Sequence, residues 1–316
     1  MSEDGHGFRG QFGYTPSPME ALRHFDQPIF AVIQGRSSRR SYEERPLEPR
    51  LRESLSSFLA EIRQGPFGSG LRLALCEARG ASGRALRGYG TYGMIQGARS
   101  FIVGAVTKGP SDLEDFGYGF ELAILRATDL GLGTCWLGGT LDRSLFGDLI
   151  RLRPSERLPA VSPVGHATAR RALRDQVVRL GARSATRKPA AELFFDGAFD
   201  RPLSMGAAGL FAECLEAVRL GPSASNMQPW RILRDGRAGV FHFFCQRART
   251  YTVPDGLGLL KLDLQRADMG IALCHFSLVA GQLGLHGRLE VLHPAPEVGP
   301  LPPRMVYRAS FIQEEG

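Results

Sequence analysis

Two short segments carry residues whose types and spacing could do chemistry. The first is Gly35-Arg-Ser-Ser-Arg-Arg-Ser-Tyr42, with three arginines and three hydroxyls in six consecutive residues. A dianionic phosphate needs several donors converging from one side, and guanidinium, hydroxyl and backbone N–H groups supply them together. The plain alternative is a solvated basic stretch at a helix boundary. The second is Gly221-Pro-Ser-Ala-Ser-Asn-Met-Gln-Pro-Trp230. Gly-Pro stops the helix expected to run to Leu220, and a polar turn of Ser223, Ser225 and Asn226 leads into a rigid Gln-Pro-Trp. Small hydroxyls and an amide suit the edge of a flat heteroaromatic ring with alternating donors and acceptors. As a bare turn, the same residues would be ordinary loop chemistry.

Other patterns fall away on inspection. Gly88-Tyr-Gly-Thr-Tyr-Gly93 matches GxGxxG, but a dinucleotide fingerprint needs a strand before it and a helix after it. Here Arg84-Ala-Leu-Arg precedes, and the expected strand Phe101–Val106 follows. Gly221-Pro-Ser-Ala-Ser225 resembles a nucleophile elbow but ends in serine where glycine belongs. There is no GxxxxGK[ST], no HExxH and no cysteine–histidine cluster at metal spacing, so no metal is expected. The seven histidines are dispersed, and His275, in an apolar stretch, reads as a hydrogen-bonded core residue.

The elements that must position the two segments come in pairs. Two apolar stretches have helical spacing. One runs from Asp115 to Gly133, the other from Asp268 to His286. They share Asp-x-Gly at the start, a central alanine (Ala127, Ala280) and Leu-x-Leu near the exit, at a constant offset of 153 residues. Ahead of them, Leu55–Pro66 matches Phe211–Pro222, both ending in Arg-x-Gly-Pro, at an offset of 156. Two pairs in the same order predict a duplicated α/β unit joined near Asp196–Ser204. Strands are expected at Arg72–Cys76, Phe101–Val106, Val240–Phe244 and Met305–Phe311, each short and bounded by glycine, proline or charge. A basic loop at Ser184–Pro189 is expected to precede a strand at Glu192–Phe195.

On these residues the chain resembles the FMN-dependent nitroreductase family. Members pair an N-terminal Arg-Arg-Ser-x-Arg-x-aromatic segment with an Ala-Pro-Ser-x-x-Asn-x-Gln-Pro-Trp segment, and carry Gly-Leu-Gly-x-Cys-Trp-x-Gly and a terminal Arg-Lys-Pro. Here these stand as Arg36–Tyr42, Gly221–Trp230, Gly131–Gly139 and Arg187–Pro189, spread over roughly Ile33 to Ala280. The order departs from the family's, since about 180 residues separate the first two and Arg-Lys-Pro comes before the turn. The branch with two fused halves in one chain accounts for this. The N-terminal half keeps the arginine cluster, while its own turn, Gly65-Pro-Phe-Gly-Ser-Gly70, lacks the asparagine and Gln-Pro-Trp. The C-terminal half keeps the turn and has no clustered arginines.

The resemblance implies an α+β, three-layer α/β/α fold of tandem duplicated halves forming a pseudo-dimer. It divides into an N-terminal extension (1–28), a half carrying the phosphate clamp (29–200) and a half carrying the flavin turn (201–316). It further implies that Arg36, Ser37 and Ser38 hold the FMN phosphate with Arg187 and Arg183, position 37 being basic in the usual pattern. Arg40 would reach the pyrimidine edge, where its charge favours the reduced ring. Gly138 and Gly139 would face the flavin N5 side through backbone N–H groups, and Pro222, Ser223 and Asn226 would close the ring from the other half. No side chain is implied as general acid or base, because the flavin carries the chemistry.

The expected function is an FMN-dependent oxidoreductase of nitroreductase type. NADH or NADPH serves as transient reductant, and a nitroaromatic or quinone-like small molecule as acceptor. The alternatives are a flavin-binding or storage protein without turnover, and a flavin-consuming enzyme resembling dimethylbenzimidazole synthase. With 316 residues the chain can bury a sizeable core. Its 39 basic and 32 acidic residues give +7, and only Lys108, Lys188 and Lys261 are lysines, so guanidinium dominates the positive charge. The arginines are spread along the chain without a helix-turn-helix pattern, so no nucleic-acid partner is expected. No membrane association is expected either. Five scattered cysteines without a CxxC pair, and a start lacking the apolar stretch of a secretory leader, lead to the expectation of a cytoplasmic monomer.

Overall fold

The computed structural model describes residues 17–77, 95–139, 141–168, 186–248 and 262–314. Residues 1–16 of the expected extension, the Gly88–Gly93 string, Arg183, and Ser184 and Ala185 of the expected basic loop lie outside the described residues. The chain opens with α1 (Pro18–Leu22), α2 (Ile29–Gly35) and α3 (Pro49–Glu61). Then come β1 (Leu71–Glu77), β2 (Ser100–Thr107), α4 (Asp112–Asp129), β3 (Gly133–Thr134), α5 (Arg143–Ile150), β4 (Glu156–Arg157) and β5 (Val161–Gly165). The rest holds β6 (Phe194–Asp196), β7 (Ala198–Pro202), α6 (Ala212–Leu220), β8 (Trp230–Arg234), β9 (Val240–Gln246), α7 (Leu264–Gln282), β10 (Gly287–Glu290) and β11 (Met305–Gln313).

The four strands expected from short runs bounded by glycine, proline or charge all form. The expected strand at Glu192–Phe195 shifts, because a 3₁₀ turn takes Ala190–Glu192 and pairing begins only at Phe194. Local chemistry sets the helix ends. Pro49 opens α3 at a position whose N–H has no helical partner anyway. Gly131, at φ +75°, follows the end of α4 in the left-handed region that glycine adopts freely. Asp142 caps α5 by accepting from the N–H groups of Ser144 and Leu145.

The strands form two sheets. One runs β1-β2-β5-β3, with β4 also on β2; the other runs β10-β11-β9-β8-β6-β7. Read from β8, the second sheet is β8-β9-β11-β10, the same order and the same antiparallel pairings as the first. Along β2 the side chains alternate: Phe101, Val103 and Ala105 pack with Phe146 and Ile150 of α5, whereas Ile102 and Val106 join the main core. That core holds α4 and α7 and reaches Phe241 and Phe243 of the second sheet. The two long helices therefore lie between the sheets, with α5 on the far face of the first. Both are buried on nearly every side, as helices within a core must be.

Glycine permits their crossing. A Cβ on Gly117 would overlap the carbonyl of Ala267, and a Cβ on Gly270 would overlap that of Glu114. Residues 114 and 117 stand 153 positions before 267 and 270, so each helix presents the same two positions to the other. Reciprocity of this kind defines a two-fold interface. The β6–β7 segment extends the second sheet, with β6 parallel to β8, so the chain crosses into the second sheet before the expected join at residue 200. Among the described residues no helix is long and apolar enough to cross a membrane, and no cluster of His, Cys, Asp and Glu could hold a metal ion.

Candidate functional site

Arg36 follows α2 directly, its N–H bonded to the Val32 carbonyl, and its side chain is buried. Its Nε has no hydrogen-bond partner among the described residues and lies 3.9 Å from Oε1 of Glu121. The backbone then leaves the helix extended. Ser37 and Ser38 are half-buried, and Ser38 pairs with Thr134 of β3. Arg40, also half-buried, accepts from Gln96 N–H through its carbonyl at 2.8 Å. The Ser38–Thr134 pairing runs the arginine segment alongside the stretch leading to Cys135-Trp-Leu-Gly138.

Arg187 reaches the same place from the other side. Its Nε and Nη2 donate to the Leu220 carbonyl at the end of α6 (3.3 and 3.0 Å), and Nη1 donates to the carbonyl of Thr186 (3.1 Å) and to Oδ1 of Asn226 (3.4 Å). Burial, then the charges of Arg36 and Arg219, bring its pKa down to about 10. Arg219 is already paired with Glu216. One buried and one half-buried guanidinium are thus held close enough to repel, with one carboxylate beside Arg36. Such an arrangement favours an anion with at least two charges.

The turn is locked from within. Ser223 accepts from Gln228 N–H through Oγ (2.9 Å), and Asn226 N–H donates to the Ser223 carbonyl (2.9 Å). Asn226 Nδ2 donates to the Thr186 carbonyl (3.0 Å), and Gln228 Oε1 accepts from Lys188 N–H (2.8 Å). Ser225, Asn226 and Gln228 all have φ near +50°, a strained region for residues with side chains, and one that collects at functional sites. Pro222 is half-buried and opens this turn. The Asn226–Arg187 bond joins what the sequence assigned separately to ring and phosphate.

Gly138 lies against Leu264, the first residue of α7, too closely for a side chain, and its carbonyl accepts from Arg143 (2.5 Å). Gly139 is exposed. One turn further along α7, Asp268 accepts from Ala224 N–H (2.9 Å), so Gly138 and the turn flank the same end of one helix. The structure thereby gathers Arg36, Arg187 and Asn226 directly, and brings Gly138 and Ser223 in through α7. For Ser37, Ser38, Arg40, Gly139 and Pro222 it shows position in the fold alone.

Sequence reading passed over Asp268 and its counterpart. Asp115, 153 residues earlier, accepts from Phe67 and Ser69 N–H (2.7 and 2.8 Å) in the other turn. The repeated Asp-x-Gly was the available signal. Burial, opposed by the Ala224 bond and helped by Asp263, pushes the Asp268 carboxyl up to about 8. Its folded pKa lies above the ordinary 3.8, so its contribution to stability is complete below that value and is lost as the pH climbs towards 8. Asp268→Asn keeps an acceptor for Ala224 and cannot ionise. Its melting temperature should exceed the wild type's at pH 8, with the gap closing towards pH 4. Thermal unfolding at the two pH values checks this, and a gap that ignores pH refutes it.

Glu121 was also passed over, an acid within the apolar middle stretch of α4, residues 116–125. It is fully buried and accepts from Trp136 Nε1 at 2.7 Å. The expected core role of His275 holds, since both ring nitrogens have partners, Ala217 O at 2.8 Å and Glu121 Oε1 at 3.0 Å.

The family model described as "Putative TM nitroreductase" matches residues 28–280. The chain belongs to this family. Among solved structures, a putative nitroreductase from Thermotoga maritima is 17% identical, covers 99% of each chain and has a TM-score of 0.56. The two chains share a fold. A putative nitroreductase in complex with FMN, from Desulfovibrio desulfuricans, is 20% identical over 48% of this chain and 95% of its own, with a TM-score of 0.36. A nitroreductase family protein from Clostridium novyi NT is 15% identical over 45% and 87%, with a TM-score of 0.35. No curated protein matches the chain. The α+β fold expected from the motifs is thus the fold of this nitroreductase family, and both sheets fall within the full-length match.

Proposed function

We propose that this member of the nitroreductase family is an FMN-dependent oxidoreductase with one flavin per chain, its two halves (29–200 and 201–316) acting as a pseudo-dimer in a monomer. The observation that carries the reading is the half-buried Arg187, bonded to Asn226 of the turn and within range of the charge on the buried Arg36. The residues fit the cofactor: Arg36 has a buried Nε without a hydrogen-bond partner among the described residues, and a phosphate beside it would relieve the repulsion on Arg187. Arg36, Ser37, Ser38 and Arg187 would hold the phosphate. Arg40, Gly138, Gly139, Pro222, Ser223 and Asn226 would surround the ring.

When bound, FMN supplies two-electron transfer from NADH or NADPH to a small oxidised acceptor of nitroaromatic or quinone type. The chain's own part is to bind and orient. Asp268 and the internal bonds of the turn fix its strained backbone in advance, so less ordering remains for the binding step. The proposed setting is the cytoplasm, where five free cysteines stay reduced.

The counterpart of this site around Gly65–Gly70 has its charges already matched. Arg266 pairs with Asp112 and Glu114, Arg157 with Asp112, and Arg308 with Glu114. Each of these three arginines meets a carboxylate. The purified protein is therefore expected to take up FMN at one equivalent per chain, read from its visible spectrum against protein concentration. Two equivalents, or a preference for FAD, would contradict the single composite site.

A further inference from the structure

We propose that Glu121 is the positioning residue that ties the phosphate side, the ring-side loop and the flavin turn into one unit, as the buried carboxylate of an ion pair with His275. The consequence for FMN rests on the flavin reading; the geometry does not. Oε2 of Glu121 accepts from Trp136, two residues before Gly138. Oε1 faces His275 Nε2 at 3.0 Å and stands 3.9 Å from Arg36 Nε, just ahead of Ser37 and Ser38. Through Nδ1, His275 meets the Ala217 carbonyl of α6, the helix that runs straight into Gly221 and Pro222. One side chain therefore meets, directly or through His275, every segment that supplies an expected flavin ligand except Arg187.

The hydrogen bonds admit two charge states, and the neighbouring guanidinium of Arg36 favours one of them. A backbone carbonyl and a carboxylate both only accept. His275 satisfies both only with a proton on each nitrogen, which makes it an imidazolium. Glu121 and His275 are both fully buried, where an unanswered carboxylate is costly; here two cations answer it. The indole N–H occupies Oε2, so a neutral Glu121 would carry its proton on Oε1 and donate it to a bare Nε2; the Arg36 guanidinium 3.9 Å from Oε1 favours the ionised form instead. In Glu121→Gln the carboxylate is lost and His275 sheds its second proton, so the pair stays neutral overall. What is lost is the hold on Arg36, and Arg36 must then be ordered at the moment the phosphate binds.

The test begins with flavin-free protein carrying ¹⁵N-histidine, His275 being assigned through His275→Gln. At neutral pH the wild-type ring is expected to show two protonated nitrogens, and the Glu121→Gln ring one. A bare nitrogen in the wild type overturns the ion pair. FMN titration should then show roughly tenfold weaker binding to folded Glu121→Gln, and unchanged affinity overturns the positioning role. Should that variant fail to fold, His275→Gln replaces it in the titration with the same expected loss and the same overturning result. A doubly protonated His275 in wild-type protein that takes up no FMN would remove the flavin reading while supporting the ion pair.

Discussion

Gly117→Ala is expected to destabilise the protein by about 3 kcal/mol or more, at the upper end for overpacking a core. The added methyl would overlap the Ala267 carbonyl, which belongs to the backbone of α7 and cannot rotate aside as a side chain could. The two helices must separate instead, opening the core between both sheets. Alanine's better helix propensity returns only about 1 kcal/mol, so the clash wins. Gly270→Ala should behave alike, because its methyl would overlap the Glu114 carbonyl and the Tyr118 nitrogen. Gly206, with nothing within 4 Å of an added Cβ, is the control, and Gly206→Ala should stay within about 0.5 kcal/mol. Urea unfolding of the three variants decides the matter. Equal stabilities would mean that the helices can move apart freely.

Arg36→Ala is expected to weaken FMN binding by about 1.5–3 kcal/mol, a factor of ten or more, through loss of one charge-assisted phosphate contact. Riboflavin has no phosphate, so its affinity should barely move. Arg187→Ala should cost FMN at least as much. It should weaken riboflavin as well, because the guanidinium also satisfies the Leu220 carbonyl and holds Asn226. Fluorescence titration of both ligands into both variants separates the roles. An equal loss of FMN and riboflavin in Arg36→Ala would show that this arginine acts through folding and not through phosphate.

The sequence by itself determined whatever depends on local pattern. Short runs bounded by glycine, proline or charge marked β1, β2, β9 and β11. The helical runs after Asp115 and Asp268 marked α4 and α7, because the faces that must leave water repeat within a few residues. The arginine cluster and the Pro-Ser-Ala-Ser-Asn turn stood out by residue type, and the repeated Asp-x-Gly held the signal for Asp115 and Asp268, each of which accepts from a turn. The tertiary structure alone decided which partners these residues take. That Arg187 bonds Leu220 and Asn226, 33 and 39 positions away, follows from β6 entering the second sheet beside β8, a pairing that no local pattern encodes. Glu121 and His275 lie 154 positions apart, and each alone reads as a misplaced polar residue in an apolar helix. Only the close crossing at Gly117 and Gly270 brings the two helices near enough for the acid to meet its base. The charge of a buried group depends on what surrounds it in space, and neighbours in space are set by packing between segments that are distant along the chain.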